Sequence, residues 1–508
     1  MSRRSDRILD IGLPLALAGL ALVLRLATLR YKAAIIDELI ELYIVTRPSW
    51  EGFLYALLDQ RIQSPLHYGL AFLLARGAPS LEALRWISMA SGAGAVLAVY
   101  FLGRRLHSRM FGCVWAFLLA ISASHVLYSQ TLRPYALCVF LAALSFTCLY
   151  DLVQGRSRWR YAAVMALLQA AYLHAVFIGL AQGLWVLWRR RGSWQAMALA
   201  LSPSWLVLGC WYLLSGKSLA AGGGAPAWPD LSDAARAFCQ QTGLSVTVYG
   251  ALLGCAAVAA FRSRAHKDDL LLGWLGLLLP LAAITACHRY FQYLFHYRHI
   301  LALLPVFLGL AAAPLAGLLQ SRLARRPSAK VVLAGLVLFA LFQLSLPATR
   351  TDIHMQEAGS RMLRQSVEIL RGQAGPADAI VFSNPNGAAA ALYQLDPESF
   401  GRLAGVEVEP GSELFSLFRL PADLRLGSSG LPVFALCSRF PWAATLDRDG
   451  FRRLKARVAA ARGRIWFVHS GFLHYFPEEA PFASALGIRA ADFVKASDSV
   501  FWIRPKRA

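Results

Sequence analysis

Apolar residues in this sequence come in long, nearly unbroken runs, not in the short alternations of a soluble domain. The first extends from Ile8 to about Ala27, and others cover about 86–102, 111–128, 135–150, 161–188, 195–214, 243–261, 270–287, 299–318 and 331–347. Nearly all approach the roughly 20 residues that carry a helix across a bilayer core, so each predicts membrane-spanning helix. The first run follows MSRRSDR, is longer than the apolar core of a signal peptide and lacks a small-x-small cleavage site. It reads as an uncleaved first span.

After about Pro347 the apolar runs shrink to strand length, and Gly, Pro, Asp and Glu become frequent. A soluble domain is predicted there, over 348–508. AIVFSNPNGAAAALYQL reads as strand, turn and helix, while PVFALCSRF and RIWFVHSGF read as buried strands, which together give an α/β domain. Its NPNG turn lacks the GxGxxG spacing of a dinucleotide site. The expected fold class is therefore a mainly α, polytopic membrane protein over 1–347 with a C-terminal α/β soluble domain.

Residues 31–80, between the first two spans, fit neither class: they are too apolar for a free loop, yet no run in them is long enough to span. In SWEGFLYALLDQ the residues Trp50, Phe53, Leu54, Leu57 and Leu58 recur at helical spacing behind Ser49 as N-cap. This predicts a helix lying flat in the membrane interface. Ser64 and Pro65 then predict the N-cap and first turn of another short apolar helix. The segment is expected to lie along the membrane surface and roof a cavity.

Composition agrees with a membrane protein and charge adds an orientation. Hydrophobic residues make up 57% of the chain and charged ones 16%, with 51 basic against 29 acidic side chains and a net charge of +22. The basic residues are gathered in short clusters between the apolar runs, which removes nucleic acid as a partner. The clusters are Arg3/Arg4/Arg7, Arg104/Arg105/Arg109, Arg156/Arg158/Arg160, Arg189/Arg190/Arg191, Arg262/Arg264/Lys267 and Arg322/Arg325/Arg326/Lys330. Because cytoplasmic loops collect Lys and Arg, all are assigned to that face. The run 161–188 has clusters at both ends and cannot be one crossing, so a hairpin of two short helices with its tip near Tyr172 to His174 is predicted. The total becomes about 11 spans, with the N-terminus in the cytoplasm and the C-terminal domain outside, periplasmic or extracellular. Six of the cysteines lie in apolar runs, and no CxxC or disulfide framework is present.

Asp37 and Glu38 stand where the first span gives way to the outer loop. Two readings are open. An acidic pair suits the start of a helix at the interface, through the helix dipole. Alternatively, a carboxylate partly withdrawn from water becomes more basic, as a general base requires.

The segments IDELIELY, SPLHYGLAFL, ALRWISMASGAGAVLAVYFLGRRL, LYSQTLRPYALCVFLAAL, AYLHAVFIGLAQ and HYRHILALLPVFLGLA follow one another in this order. As a set they resemble the bacterial GT-C glycosyltransferases of the family 39 and 83 type, the integral-membrane group that includes protein O-mannosyltransferases and lipid A aminoarabinose transferases. The resemblance covers about residues 8 to 350. It implies a GT-C fold in a bacterial inner membrane and an inverting transferase of the cell envelope. Such an enzyme takes a sugar from a polyprenyl-phosphate carrier and passes it to a lipid, glycan or protein acceptor on the outer side. It also implies an essential acidic motif in the first outer loop, which maps onto Asp37 and Glu38. Relatives carry PPLYY where this chain has Ser64, Pro65, Leu66, His67 and Tyr68; His67 and Tyr68 are retained as pocket residues, with the role of His67 open.

Transfer from a lipid phosphate needs positive charge where the phosphate departs. Arg133 in YSQTLRPYAL and Arg298 in HYRHILALLP stand at predicted outer ends of spans, against the inside preference, and are the candidates for it. Arg289, placed similarly, is assigned to lipid headgroups. Tyr128 and Tyr135 read either as interface aromatics or as lining of a sugar pocket, and His174 either as a helix-end residue or as a pocket residue. A divalent ion between Asp37, Glu38 and His67 or His174 is chemically sensible, but relatives using lipid monophosphates generally work without metal, and none is assigned. Two other functions fit parts of the pattern: a transporter or flippase for a lipid-linked saccharide, and a non-catalytic membrane subunit that binds glycan. In the C-terminal domain, His469, His474 and Tyr475 read equally as acceptor contacts or as buried strand residues.

Overall fold

A computed structural model describes residues 3–29, 36–59, 65–77, 80–215, 237–239, 243–262, 267–288 and 298–320, together with 365–375, 378–382, 425–426, 431–435, 463–468, 494–496, 500–503 and a few single positions. The chain divides into two compact units: Met1–Arg30 with Arg61–Asp352, and Tyr31–Gln60 with Ile353–Ala508.

The first unit is helical. Its elements are α1 (Arg3–Leu29), α4 (Pro65–Ala75), α5 (Leu81–Leu84), α6 (Trp86–Leu106), α7 (Arg109–Ile121), α8 (Ala123–Ser129), α9 (Tyr135–Val153), α10 (Arg158–Ala171), α11 (Ala175–Arg189), α12 (Trp194–Ser215), α13 (Gly243–Arg262), α14 (Lys267–His288) and α15 (Leu304–Gln320), the last entered through a 3-10 turn at His299–Leu303; α2 and α3 belong to the second unit. Four helices among the described residues are long and apolar enough to cross a membrane: Leu81–Leu106, Tyr135–Val153, Lys267–His288 and His299–Gln320. Shorter apolar helices accompany them at Ile11–Ala27, Pro65–Ala75, Ala175–Arg189 and Val246–Ala259. The run predicted over 331–347 lies largely outside the described residues.

Polar contacts sort the helix ends into two groups. At one end Arg105 pairs with Asp151 at 2.8 Å, Arg189 pairs with Asp268, and the Gln320 amide donates to Ser108 at 2.5 Å. The ends of α6, α9, α11 and α15 and the starts of α7 and α14 therefore meet where the basic clusters lie. At the other end the starts of α6 and α9 come together, with the Ser88 hydroxyl donating to the Arg133 carbonyl at 3.1 Å. Local sequence sets these ends. Ser108 and Ser157 cap α7 and α10 by accepting from Phe111 and Arg160 amides. Gly155, at φ 69°, closes α9, with the Arg156 amide reaching back to the Asp151 carbonyl and that of Gly155 to Leu152, both at 2.9 Å.

Small residues let the helices approach. A Cβ on Gly103 would stand 2.8 Å from the Gly112 Cα, so α6 and α7 touch backbone to backbone. Trp115 of α7 lies over Gly309 of α15, and its indole N–H donates to the Pro305 carbonyl at 2.8 Å.

One sequence expectation is corrected here. The run 111–128 is not one straight span: α7 and α8 meet at Ser122 with a bend of 63°. Polar side chains cluster at the break, where the Ser122 and Ser124 hydroxyls lie 3.2 Å apart and Ser124 donates to the Ala237 carbonyl at 2.8 Å. Arg25, near the end of α1, is fully buried. Its guanidinium donates to the Ala21 carbonyl at 2.7 Å and to His125 Nδ1 at 2.8 Å. Gly92 on α6 leaves the room, since a Cβ there would meet the Ser129 side chain and stand 2.9 Å from Arg25 Nε.

The second unit contains α2 (Ile36–Val45), α3 (Trp50–Asp59), a helix over 365–373 and six strands: β1 (Ala379–Phe382), β2 (Arg425–Leu426), β3 (Leu431–Ala435), β4 (Ile465–Val468), β5 (Val494–Lys495) and β6 (Val500–Ile503). The sheet order is β2-β3-β1-β4-β6-β5. β1 runs parallel to both β3 and β4, and the outer pairs are antiparallel. Ile465 to Val468 are all buried, as a strand covered on both faces requires. The buried Asp378 carboxylate fastens the start of β1 to β4, accepting from the Gly375 amide at 2.9 Å, the Arg464 amide at 2.7 Å and the Trp466 indole at 2.9 Å. Ser49 caps α3 as predicted, accepting from the Gly52 amide at 3.0 Å.

Candidate functional site

The acidic motif forms a helix, not a loop. Asp37 and Glu38 occupy the first turn of α2, where negative charge suits the helix N-terminus. Asp37 is half-buried, whereas Glu38 and Glu41 are fully buried. Glu38 and Glu41 lie three residues apart and share a helix face. Glu41 was not among the sequence candidates, although that spacing marks it. At the far end of α2 the Arg47 guanidinium lies 4.2 Å above the Tyr43 ring and donates to its hydroxyl. All of these belong to the second unit.

The remaining candidates belong to the first unit and gather where α4, α8, α9 and the 3-10 turn begin or end. Arg133 sits in the connection between α8 and α9. That connection is held by Ser88 at the Arg133 carbonyl, by the Thr131 hydroxyl on the Leu127 carbonyl at 2.8 Å, and by the Gln130 amide on the Arg25 carbonyl. The Arg133 guanidinium, half-buried, donates to the Tyr68 hydroxyl at 2.7 Å. Tyr68 and its neighbour His67 are both buried on α4, ring centroids 6.4 Å apart. Pro65, His67 and Tyr68 thus deliver a phenol to the arginine from a separate helix.

From this loop an aromatic series runs through the helix ends. Tyr128 packs edge-on against Tyr135 at 4.8 Å, Tyr135 lies 6.3 Å from His299, His299 stacks on His174 at 5.8 Å, and His174 lies 4.7 Å from Tyr172. His299 and the adjacent Arg298 are half-buried; Tyr128, Tyr135, His174 and Tyr172 are buried. α10 and α11 break at Tyr172–His174, which brings both residues off the helices and into the series. There the Gln169 amide holds the turn by donating to the Leu173 carbonyl at 2.9 Å. Neither ring nitrogen of His174, nor the Tyr172 hydroxyl, has a hydrogen-bond partner among the described residues. A buried polar atom left so costs about 1–3 kcal/mol.

His299 and Tyr172 were not site candidates from the sequence; the ring neighbours of His299, Tyr135 and His174, are remote in the chain. Arg289, His469, His474 and Tyr475 lie outside the described residues. Among the described residues no three His, Cys, Asp or Glu side chains are arranged to hold a metal ion. A cavity of about 50 Å³, lined by Leu102, Phe111, Trp115, Phe146 and Asp269 among others, contains none of the candidate residues.

No family model matches the sequence, and no curated protein matches it. Solved structures do. ArnT from Cupriavidus metallidurans in the apo state is similar with a TM-score of 0.57 and 11% identity, over 97% of this chain and 98% of that one. The same protein bound to undecaprenyl phosphate gives a TM-score of 0.54 at 11% identity and the same coverage. The apo oligosaccharyltransferase of Archaeoglobus fulgidus gives 0.47 at 11% identity, over 76% of this chain and 64% of its own. Sharing its architecture with ArnT along nearly its whole length, the chain is a polytopic membrane protein of the GT-C fold.

Proposed function

We propose that the protein is an inverting glycosyltransferase that moves a sugar from a polyprenyl-phosphate carrier to a lipid, glycan or protein acceptor on the outer side of a bacterial inner membrane. The observation that carries this reading is the Arg133–Tyr68 pair at the head of a buried aromatic series, set in the fold of a protein that binds undecaprenyl phosphate. In the reading, Asp37 takes the proton from the acceptor hydroxyl. The freed oxygen attacks the anomeric carbon from the face opposite the phosphate, the bond from that carbon to the phosphate oxygen breaks, and the carrier leaves as polyprenyl phosphate. Arg133 and Arg298 hold the phosphate, whose charge grows as the bond breaks. Glu38 supports Asp37 in α2, and His67, Tyr68, Tyr128, Tyr135 and His174 line the sugar.

The orientation follows the basic clusters: N-terminus in the cytoplasm, C-terminal domain outside. The buried Arg25–His125 pair does not favour a transporter, because it is enclosed by α1, α6 and α8 and joins them. The test is transfer in proteoliposomes from sugar-loaded polyprenyl phosphate, combined with mass spectrometry of lipid-linked sugars that accumulate in cells lacking the protein. Asp37→Asn is expected to abolish transfer while leaving insertion and folding intact. Undiminished transfer by that variant, or no accumulating lipid-linked sugar, would refute the proposal.

A further inference from the structure

Resting on that reading, the geometry at the α10–α11 break says what kind of sugar the site takes. We infer that Tyr172 and His174, facing His299, select a neutral, hydroxyl-bearing sugar and discriminate against amino sugars and uronic acids.

The argument is one of donors, acceptors and charge. A neutral imidazole offers one N–H donor and one acceptor nitrogen, and a phenol offers one of each. Among the described residues both kinds of atom stand unmatched in the buried His174–Tyr172 pair. A phosphate, which only accepts, satisfies half of such a set. A sugar hydroxyl, which donates and accepts, satisfies all of it. Charge points the same way. The described contacts of His174 are the rings of Tyr172, Phe177 and His299, and no carboxylate, lysine or arginine is among them. An ammonium or carboxylate lodged there would lose its water and gain no counter-charge. Arg133 and the half-buried Arg298, each next in sequence or nearly so to a member of the series, supply the cations that suit the phosphate. Tyr128, Tyr135 and His299 continue the series away from His174 and supply aromatic surface of the kind on which a pyranose ring packs.

The test measures binding to the full-length protein in detergent. Its probes are undecaprenyl phosphate alone and the same carrier loaded with glucose, mannose, galactose, 4-aminoarabinose or glucuronic acid. Wild-type protein is expected to bind one of the neutral-sugar carriers about ten-fold more tightly than either charged one. Tyr172→Phe, which removes only the hydroxyl, and His174→Phe are expected to weaken that neutral-sugar carrier about ten-fold. Affinity for the bare carrier should stay unchanged, and His174→Gln, which keeps a donor and an acceptor, should recover part of the loss. Monodispersity on size exclusion checks the fold of each variant. Preference for a charged sugar, or equal losses for loaded and bare carrier, overturns the inference while the glycosyltransferase reading stands. Failure of wild-type protein to bind any carrier lipid removes both.

Discussion

The Arg133 guanidinium is held by the Tyr68 hydroxyl at 2.7 Å, across 65 residues of sequence. The contact fixes a cation from the α8–α9 connection against α4, a helix remote from it in the chain. If Arg133 binds the carrier phosphate as proposed, an arginine so oriented loses less side-chain freedom on binding.

Tyr68→Phe tests that relationship. A hydrogen bond to a charged group is worth about 1.5–3 kcal/mol, so kcat/KM for the carrier substrate is expected to fall roughly ten- to a hundred-fold. Steady-state kinetics at varied carrier concentration, with the variant's melting temperature as control, provide the measurement. Unchanged kinetics would make the pair a packing detail.

Transfer is expected to persist in EDTA, because a lipid monophosphate donor leaves a single phosphate that Arg133 and Arg298 can neutralise without a divalent ion. Activity lost to chelation and restored by magnesium or manganese would instead make Asp37 and Glu38 ligands and point to a diphosphate donor.

Gly112→Leu should loosen the bundle. A Cβ there would come within 2.5 Å of the Tyr100 carbonyl and 3.0 Å of the Arg104 nitrogen, both backbone atoms that cannot yield locally. Overpacking of this kind costs about 1–3 kcal/mol and should lower the melting temperature in detergent. Gly19→Leu is the control, since nothing lies within 4 Å of a Cβ at Gly19.

Asp378→Ala removes the acceptor shared by Gly375, Arg464 and Trp466. Breaking a buried, charge-assisted cluster costs on the order of 3–5 kcal/mol. The expected result is faster proteolysis within 353–508 in the full-length protein, with the helices of the first unit still resistant. Equal resistance of variant and wild type would show that the sheet is secured elsewhere.

What the sequence made legible follows from what each environment demands. A bilayer core demands long apolar helices, so their positions could be read directly. The basic clusters at both ends of 161–188 called for a reversal, and the chain breaks at Tyr172–His174. Strands β1, β3 and β4 were visible as short β-branched and aromatic runs. The bend at Ser122 was not visible, because its cause is distributed: Ser122, Ser124 and His125 look like stray polar residues until Arg25, 100 residues earlier, is placed beside His125. The meeting of Tyr172 and His174 with His299 was hidden for the same reason. They come from the α10–α11 break and from the turn before α15, and no local spacing relates the two. Glu41 is the opposite case, legible by its three-residue offset from Glu38 yet carrying no distinguishing motif of its own.

The Arg25–His125 contact also bears on how the protein is made. Ribosomes deliver α1 to the insertion machinery while residue 125 has yet to be translated, so a guanidinium must wait at the bilayer without the imidazole that later receives it. An arginine inside a spanning helix raises the cost of insertion, by about 2.5–3.5 kcal/mol at the helix centre and by less towards an end such as that of Arg25. The first helix is therefore expected to integrate stably only after α8 has emerged. Nascent chains arrested before and after residue 125 should differ accordingly in their resistance to alkaline extraction.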